Sequence, residues 1–285
     1  MQLKLNNIID YYNNCESDYR TFWDLDRSLA MHAGYWDDQT KSLSDALARE
    51  NEILAECANI QAHEKVLDAG CGIGGSSLFL AKRYRCEVIG ISISDQQVEK
   101  ANVYAKKHGV DSIVHFKTMD YCHTSFPDAS FDVVWALESS CHAENKLLFI
   151  QEAYRLLKKG GRLIVADGFE TQESYSPEQS YEMREWLNGW GVDNLGTQKS
   201  FCHHLNDSGF STISYFNITS NIMPSSKRLY WISFPAIILS KIGEWVRMRT
   251  PMQTKNIRAA YYQHSTLKKG LWEYGIFCAY KKEFQ

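Results

Sequence analysis

A glycine-rich turn after a short apolar run is the feature that most constrains this chain. Residues 66–75 read Val-Leu-Asp-Ala-Gly-Cys-Gly-Ile-Gly-Gly. Glycines let the backbone turn sharply and approach a ligand without a Cβ atom in the way. A turn of this kind between a strand and a helix lies where open α/β sheets bind their ligands. The run therefore predicts a parallel α/β sheet with a ligand site at its carboxyl edge.

The remaining sequence alternates apolar strands with helices in the way that such a sheet requires. We predict strands at 65–69, 87–91, 113–117, 131–136, 162–166, 212–218 and 274–280, and helices at 42–57, 76–84, 95–108, 146–157, 175–190 and 199–208. Lys158, Lys159 and Gly160 are expected to close the helix at 146–157. This pattern indicates a Rossmann-like, seven-stranded, mostly parallel sheet with helices on both faces.

The organisation along the chain follows from where this alternation holds and where it stops. With 285 residues, 44% of them hydrophobic and 23% charged, the chain suits one large α/β domain with a modest insertion. We expect a helical segment over 1–60 that covers the active site, followed by the core at 61–220 with a helical stretch at 170–200. Residues 221–270 do not fit the core pattern and are expected to form an inserted substrate cap. Residues 271–285 then supply the last strand.

Composition argues against several classes of function. The net charge of −3 gives no general attraction to nucleic acid, and there is no Asn-Pro-Pro-Tyr-type base-flipping motif. The eight cysteines show neither CxxC spacing nor a zinc-like Cys/His cluster, so we expect no metal and reduced thiols in a cytoplasmic protein. The first ten residues lack a signal-peptide core, and the apolar stretch 231–239 is too short to span a bilayer.

Residues next to the glycines indicate which ligand the loop takes. Asp68 would crowd the pyrophosphate of a dinucleotide with negative charge, whereas it would attract the ammonium of a methionine-derived ligand. A nicotinamide site usually carries an acid at the end of the next strand, but the chain has Ser92-Ile93-Ser94 there. Both details favour S-adenosylmethionine over NAD.

The glycine run resembles motif I of the class I S-adenosylmethionine-dependent methyltransferases. The resemblance continues through 119–120, 131–135 and 157–161, and many family members carry an acid where Ser92 stands. It implies a cofactor site with Gly70, Gly72 and Gly74 around the amino-acid part, and Asp68 orienting the loop or the ammonium. It also implies Ser92 and Gln97 near the ribose, Asp120 at the adenine amino group, Met119 and Ile93 packed on the ring, and Glu138 at the cofactor. It further implies S-adenosylhomocysteine as the reaction product.

Two further stretches resemble one branch of this family. Residues 135–142, Trp-Ala-Leu-Glu-Ser-Ser-Cys-His, are similar to a segment of the tocopherol C-methyltransferases, sterol-type enzymes and the rebeccamycin sugar O-methyltransferase. Residues 32–36, His-Ala-Gly-Tyr-Trp, are similar to their N-terminal His-x-Gly-Tyr element, and 267–271 lead into the last strand as in the tocopherol branch. These motifs identify the branch without naming the acceptor.

Catalytic candidates follow from the position of residues near the sheet edge. His142 follows the fourth strand and can accept a proton near neutral pH, which makes it the candidate base. Glu138 is expected to hold the substrate or assist this base, or else to anchor the N-terminal segment. His32 is expected to contact the site or to pack.

Aromatic residues of the N-terminal segment, namely Tyr12, Trp23 and Tyr35, are candidates for the substrate pocket. Their faces would attract a cation, although most helix aromatics pack in the core.

The inserted cap and the acceptor leave alternatives open. Basic residues of the cap, namely Lys227, Arg228, Arg247, Arg249, Lys255 and Arg258, lie among apolar ones. They fit a lid with its charges in solvent, or a cap that meets a membrane or a lipophilic, diphosphate-bearing acceptor. We expect C-methylation of a small isoprenoid-like acceptor, then O-methylation of a natural-product sugar or hydroxyl, and then N-methylation. A non-catalytic cofactor sensor is the alternative of another class. Peripheral membrane contact and a homodimer both stay open.

Overall fold

A seven-stranded sheet organises the computed structural model, which describes residues 2–23 and 25–283. The strands are β1 Lys65–Ala69, β2 Glu87–Ser92, β3 Val114–Thr118, β4 Phe131–Leu137, β5 Leu157–Glu170, β6 Phe210–Asn217 and β7 Trp272–Lys281. Their order is β3-β2-β1-β4-β5-β7-β6. The strand β7 runs antiparallel to its neighbours β5 and β6, and the pairs among β1 to β5 are parallel. The expected Rossmann-like fold is confirmed.

Helices pack against both faces of the sheet. They are α1 Gln2–Trp23, α2 Leu25–Ser28, α3 Leu43–Cys57, α4 Gly75–Tyr84, α5 Asp95–Lys107, α6 Lys146–Leu156, α7 Pro177–Gly189, α8 Gln198–Asp207, α9 Thr219–Trp245 and α10 Pro251–Lys268. Several begin where a hydroxyl side chain accepts a hydrogen bond from a free backbone N–H, as Ser42 does for α3 and Thr250 for α10. None of the helices in the described part of the chain combines the length and apolar character needed to cross a bilayer.

The fifth strand differs from its predicted form. Leu157 already pairs with Phe131, so Lys158–Gly160 belong to β5 rather than to the end of α6. A shift in register between Phe131 and Val133 accommodates these residues. The strand also continues to Glu170, because β7 pairs with it from Arg162 onwards. Long-range pairing therefore makes this strand longer than its apolar pattern at 162–166.

The sheet divides the hydrophobic core into two layers. Because successive strand residues point to opposite faces, Val66 and Val133 lie in one layer, whereas Leu67 and Val134 lie in the other. The first layer packs against α3, α4 and α5, and the second includes Phe149 of α6. Residues at and just beyond the carboxyl ends of β1, β2 and β4 line a cavity next to the N-terminal segment.

In the chain, the helices α9 and α10 follow β6 and precede β7, in the segment expected to form the cap. They hold α1 in place. Arg249, between the two helices, donates to Asp18 of α1 at 2.7 Å. Asn256 of α10 donates to the same carboxylate at 3.0 Å and accepts from the hydroxyl of Tyr11 at 2.8 Å. Arg228 of α9 donates to the Phe22 carbonyl. The cap therefore fixes the helix that covers the carboxyl edge of the sheet.

Candidate active site

A cavity of about 400 Å³ lies at the carboxyl edge of β1, β2 and β4, beneath α1. Its floor comes from the glycine loop, and its roof comes from Leu5, Ile8, Ile9 and Tyr12 of α1. The residues predicted for the cofactor that line it are Asp68, Gly70, Gly72, Ser92, Ile93, Gln97, Asp120 and Glu138. The structure thus brings together most of the predicted cofactor site.

The glycine loop needs glycine for close packing as well as for its backbone conformation. Gly70 has φ +93°, and a Cβ atom there would lie 2.4 Å from the Cβ of Ser139. Gly74 also has φ +93°, and its Cβ would lie 2.6 Å from the Cζ of Phe116. Gly74 is the residue before α4 and packs away from the cavity, so its expected place at the cofactor is not found; Gly75 lines the cavity instead.

Asp68 joins the first strand to the helix that follows the loop. It is 2% exposed and accepts a hydrogen bond of 2.6 Å from the Ser77 hydroxyl. Burial raises the pKa of this carboxyl to about 6, against the lowering effect of Ser77. A cationic group placed beside it would favour its charged form. Asp68 can therefore both hold the loop on α4 and receive an ammonium.

The opposite wall of the cavity comes from the ends of β2 and β3. The Ser92 hydroxyl donates to Oε1 of Gln97 at 2.7 Å, which orients two polar side chains at the cavity. Asp120 accepts from the Cys122 N–H at 2.8 Å through one carboxylate oxygen. Met119 does not line the cavity but packs against the second core layer, so its expected contact with the adenine ring is not found.

A second, deeper cavity of about 90 Å³ adjoins the first. It shares Tyr12, Met31, Glu138 and His142 with the larger cavity. Its other aromatic walls come from Tyr19, Trp23, Trp186, Trp190, Trp272 and Tyr274, and its polar groups include Asp167, Ser225, Ser226 and Gln263. The shared residues mark the place where a donor in one cavity would meet an acceptor in the other.

His142 stands at this junction and has a defined tautomer. Its Nδ1 lies 3.1 Å from the Gly191 carbonyl oxygen, which can only accept, so Nδ1 carries the proton. Its Nε2 lies 2.8 Å from the Tyr12 hydroxyl and accepts from it. Burial lowers the pKa of the imidazole to about 4. His142 is therefore a neutral imidazole with its lone pair directed at the junction.

A buried carboxyl network ties the N-terminal segment to this site. Glu138, with φ +46°, accepts from the Ala33 N–H at 2.6 Å and lies 2.9 Å from the Tyr274 hydroxyl. The same hydroxyl lies 2.7 Å from Glu50, which contacts Nδ1 of His32 at 2.6 Å. Two causes raise the pKa of Glu138 well above its usual range: burial is the larger, and the nearby Glu50 carboxyl is the second. Glu138 and Glu50 together thus anchor residues 32–34, and Glu138 also lines both cavities.

The aromatic candidates of the N-terminal segment have different positions. Trp23 lines the second cavity and donates through Nε1 to the His32 carbonyl at 3.0 Å. Tyr12 lines both cavities, and His32 lines the first. Tyr35 lines neither cavity, because its ring packs against the first core layer. Its expected role in the substrate pocket therefore has no support in the structure.

The basic residues of the cap do not enter the site. Lys227, Arg228, Arg247, Lys255 and Arg258 are exposed. Arg249 is bound to Asp18. Among the residues that the structure describes, no lysine or arginine lines either cavity. The exposed charges fit a cap with its charges in solvent and a cap that meets a membrane, and among the described residues no cap cation lies in either cavity to hold a diphosphate.

Comparison with known proteins finds similarity to methyltransferases. A family model described as a methyltransferase domain matches residues 67–165. The 27-O-demethylrifamycin SV methyltransferase of Amycolatopsis mediterranei is 36% identical over 216 residues, or 75% of this chain and 79% of that protein. The 2-methyl-6-phytyl-1,4-hydroquinone methyltransferase of Synechocystis is 40% identical over 147 residues, or 50% of this chain and 45% of that protein. The geranyl diphosphate C-methyltransferase of Streptomyces coelicolor, crystallised with S-adenosyl-L-homocysteine, has a TM-score of 0.73 at 18% identity, covering 98% of each chain.

Proposed function

This chain belongs to the class I S-adenosylmethionine-dependent methyltransferases, in the branch of the tocopherol and sterol enzymes, and from that premise we propose that its acceptor is an uncharged, lipophilic small molecule. The observation that carries the proposal is the lining of the second cavity, which meets the first at a neutral His142 and has aromatic walls but no lysine or arginine among the described residues. Methyl transfer from a sulfonium needs donor and acceptor held in line and dry. The adjoining cavities suit that requirement.

The residues of the larger cavity fit S-adenosylmethionine. When bound, this cofactor supplies an electrophilic methyl group on a positively charged sulfur. In our proposal, Asp68 receives the ammonium, and the backbone at Gly70 and Gly72 admits the amino-acid part. Ser92 and Gln97 bind the ribose hydroxyls, and Asp120 accepts from the adenine amino group. Each assignment pairs a polar atom of the ligand with a complementary side chain at the cavity wall.

The charges of the second cavity support an uncharged acceptor. Glu138 and Asp167 line it, while the described residues place no lysine or arginine there. An anionic group would lose its hydration opposite these carboxyls with no cation to offset the loss. The hydroxyl and amide groups at Ser225, Ser226 and Gln263 suit neutral polar atoms instead. We therefore favour an acceptor with hydroxyl or carbonyl groups over a diphosphate.

His142 is the proposed base. Each methyl transferred to a neutral acceptor leaves one proton to be removed, and the Nε2 lone pair of His142 can take it directly or through the Tyr12 hydroxyl. The Nδ1–H bond to the Gly191 carbonyl keeps the ring in the tautomer that this step needs. The pKa of about 4 makes the imidazole a weak base, so it acts on a proton that methyl transfer has made acidic.

Carbon is the methyl-accepting atom that we favour. Methylation of an alkene or an electron-rich ring places positive charge on the acceptor, and aromatic faces stabilise such a charge. Tyr12, Trp23, Trp186 and Trp272 surround the second cavity. Oxygen is the second candidate, because the relative at 36% identity over most of both chains is named for O-demethylrifamycin methylation.

Product analysis tests this proposal. The enzyme is incubated with methyl-labelled S-adenosylmethionine and a panel that contains a prenylated hydroquinone, a polyketide alcohol, geraniol and geranyl diphosphate. We expect label in neutral acceptors, and NMR of the product identifies carbon or oxygen as its site. A clear preference for geranyl diphosphate over geraniol would contradict the uncharged acceptor.

The His142→Gln variant tests the base. We expect it to bind S-adenosylhomocysteine like the wild type and to transfer methyl about 10²- to 10⁴-fold more slowly. His203→Gln is the matched control, because its side chain is 72% exposed on α8. Wild-type turnover by His142→Gln would remove His142 from the mechanism.

A further inference from the structure

The two faces of α9 are reversed relative to those of an ordinary surface helix. Its buried face is mostly small and polar, with Ser225, Ser226, Ser233, Ala236 and Ser240. Its exposed face carries large apolar side chains that are 42% to 85% exposed, namely Trp231, Phe234, Ile238, Leu239, Ile242 and Trp245. Single exposed apolar residues are common on soluble proteins, but a continuous row of them marks an interaction surface.

These six residues form one stripe, which we call the α9 ridge. Apart from the adjacent pair Ile238 and Leu239, they follow one another at three or four residues, which places them on one side of the helix. At 1.5 Å per residue, the ridge extends for about 21 Å from Trp231 to Trp245. Exposed Val246 and Met248 continue it into the following turn. Tryptophan stands at both ends of the ridge, and this residue prefers the boundary between water and lipid.

The charges around the ridge indicate its partner. Between residues 219 and 250 the chain has five basic residues and one acid, Glu244, so this segment carries +4 in a chain of net charge −3. Lys227, Arg228, Lys241 and Arg247 are exposed beside the ridge. Cations next to an apolar helix face attract an anionic lipid surface. A second copy would instead bring two positively charged faces together, which opposes dimerisation here.

We propose that the α9 ridge docks this enzyme on an anionic lipid bilayer, with its apolar side chains at the headgroup–acyl boundary. The inner face of the same helix supplies Ile222, Ser225, Ser226 and Leu229 to the second cavity. Docking therefore places the helix that lines the acceptor cavity against the phase in which lipophilic acceptors dissolve. The docking surface lies on the outer face of α9 and does not depend on which acceptor the enzyme methylates.

Vesicle co-sedimentation tests the docking surface. We expect the protein to sediment with vesicles of phosphatidylcholine and phosphatidylglycerol, less with pure phosphatidylcholine, and less at high salt. The triple variant Trp231→Ser, Ile238→Ser, Trp245→Ser should lose this binding. Lys241→Gln with Arg247→Gln should weaken it about 30-fold, since each cation near an anionic surface contributes about one factor of five.

Two controls separate docking from misfolding and from self-association. Val103→Ser removes an apolar residue that is 63% exposed on α5, and it should sediment like the wild type. Calorimetry with S-adenosylhomocysteine should give the triple variant wild-type affinity, which shows that the fold is intact. Absence of binding to both vesicle types would overturn the proposal. So would a dimer, measured by light scattering, that the triple variant dissociates. Neither result depends on the acceptor or on methyl transfer.

Discussion

Neutral His142 makes a prediction about stability that needs no knowledge of the acceptor. Its pKa falls from an ordinary 6.5 to about 4 in the folded protein because the ring is buried. Between these pH values the unfolded chain binds more protons than the folded one at this residue. The free energy of unfolding therefore rises with pH across this window, and His142 costs stability as the pH falls.

The expected magnitude follows from the two pKa values. At pH 8 the ring is neutral in both states and contributes nothing to the pH dependence. At pH 5.5 its unfolded form is mostly protonated and its folded form is not, which lowers the free energy of unfolding by about 1.4 kcal/mol. Well below pH 4 the ring is protonated in both states, and the total decrease in the free energy of unfolding reaches about 3 kcal/mol.

Urea unfolding of the wild type and His142→Gln at pH 8 and pH 5.5 measures this effect. Glutamine can keep one donor and one acceptor but does not titrate, so we expect the variant to lose about 1.4 kcal/mol less than the wild type on acidification. Other buried groups, such as Glu138, are present in both proteins and largely cancel in the difference. His203→Gln, which replaces an exposed histidine of α8, is measured alongside as the control. Equal pH dependence in the wild type and His142→Gln would refute a neutral, buried imidazole and with it the proposed base.

Three further substitutions test other parts of the site. Gly74→Ala should lower the free energy of unfolding by about 2–4 kcal/mol, because it combines a left-handed backbone with a clash against Phe116. The control Gly109→Ala has the left-handed backbone alone and should cost about 1 kcal/mol, so equal losses in urea unfolding would argue against the clash. Asp120→Asn should weaken S-adenosylhomocysteine binding roughly tenfold by calorimetry, because its amide cannot replace both acceptor oxygens; unchanged affinity would remove Asp120 from the adenine site. Lys146→Met should cost about 3 kcal/mol in thermal unfolding, because the buried ammonium donates to three carbonyl oxygens around the His142 turn; an unchanged melting temperature would show that those carbonyls do not need it.

Local sequence patterns were enough to predict the sheet, because its strands and helices depend on residues close in the chain. The glycine run, the apolar periods and the capping hydroxyls all act within one element. The β5 strand is the exception, since pairing with a strand more than a hundred residues later extended it. Element bounds that depend on a distant partner are not encoded locally.

It was harder to predict which residues of a loop face the cavity than which loops form it. Gly74 and Met119 belong to recognisable motifs, but Phe116 and the second core layer draw them away from the cavity. The aromatic walls of the second cavity at Trp186 and Trp272 were not predicted, because both residues lie outside any recognised motif and their rings meet only in the folded protein. No local sequence pattern indicates that two aromatic residues so far apart in the chain will lie in one cavity with a buried carboxyl.

The contacts that hold α1 over the site also set the order in which the molecule can be completed. Asp18 leaves the ribosome early, but its partner Arg249 lies 231 residues later. At about 5–20 residues per second, the helix waits roughly 10–50 s for that partner during synthesis. The parallel part of the sheet, β1 to β5, and the glycine loop are synthesised within this interval, whereas the contacts that hold the roof over the cofactor cavity are not. Closure of the active site is therefore a late event in biogenesis, and a nascent chain can meet its cofactor before it can enclose it.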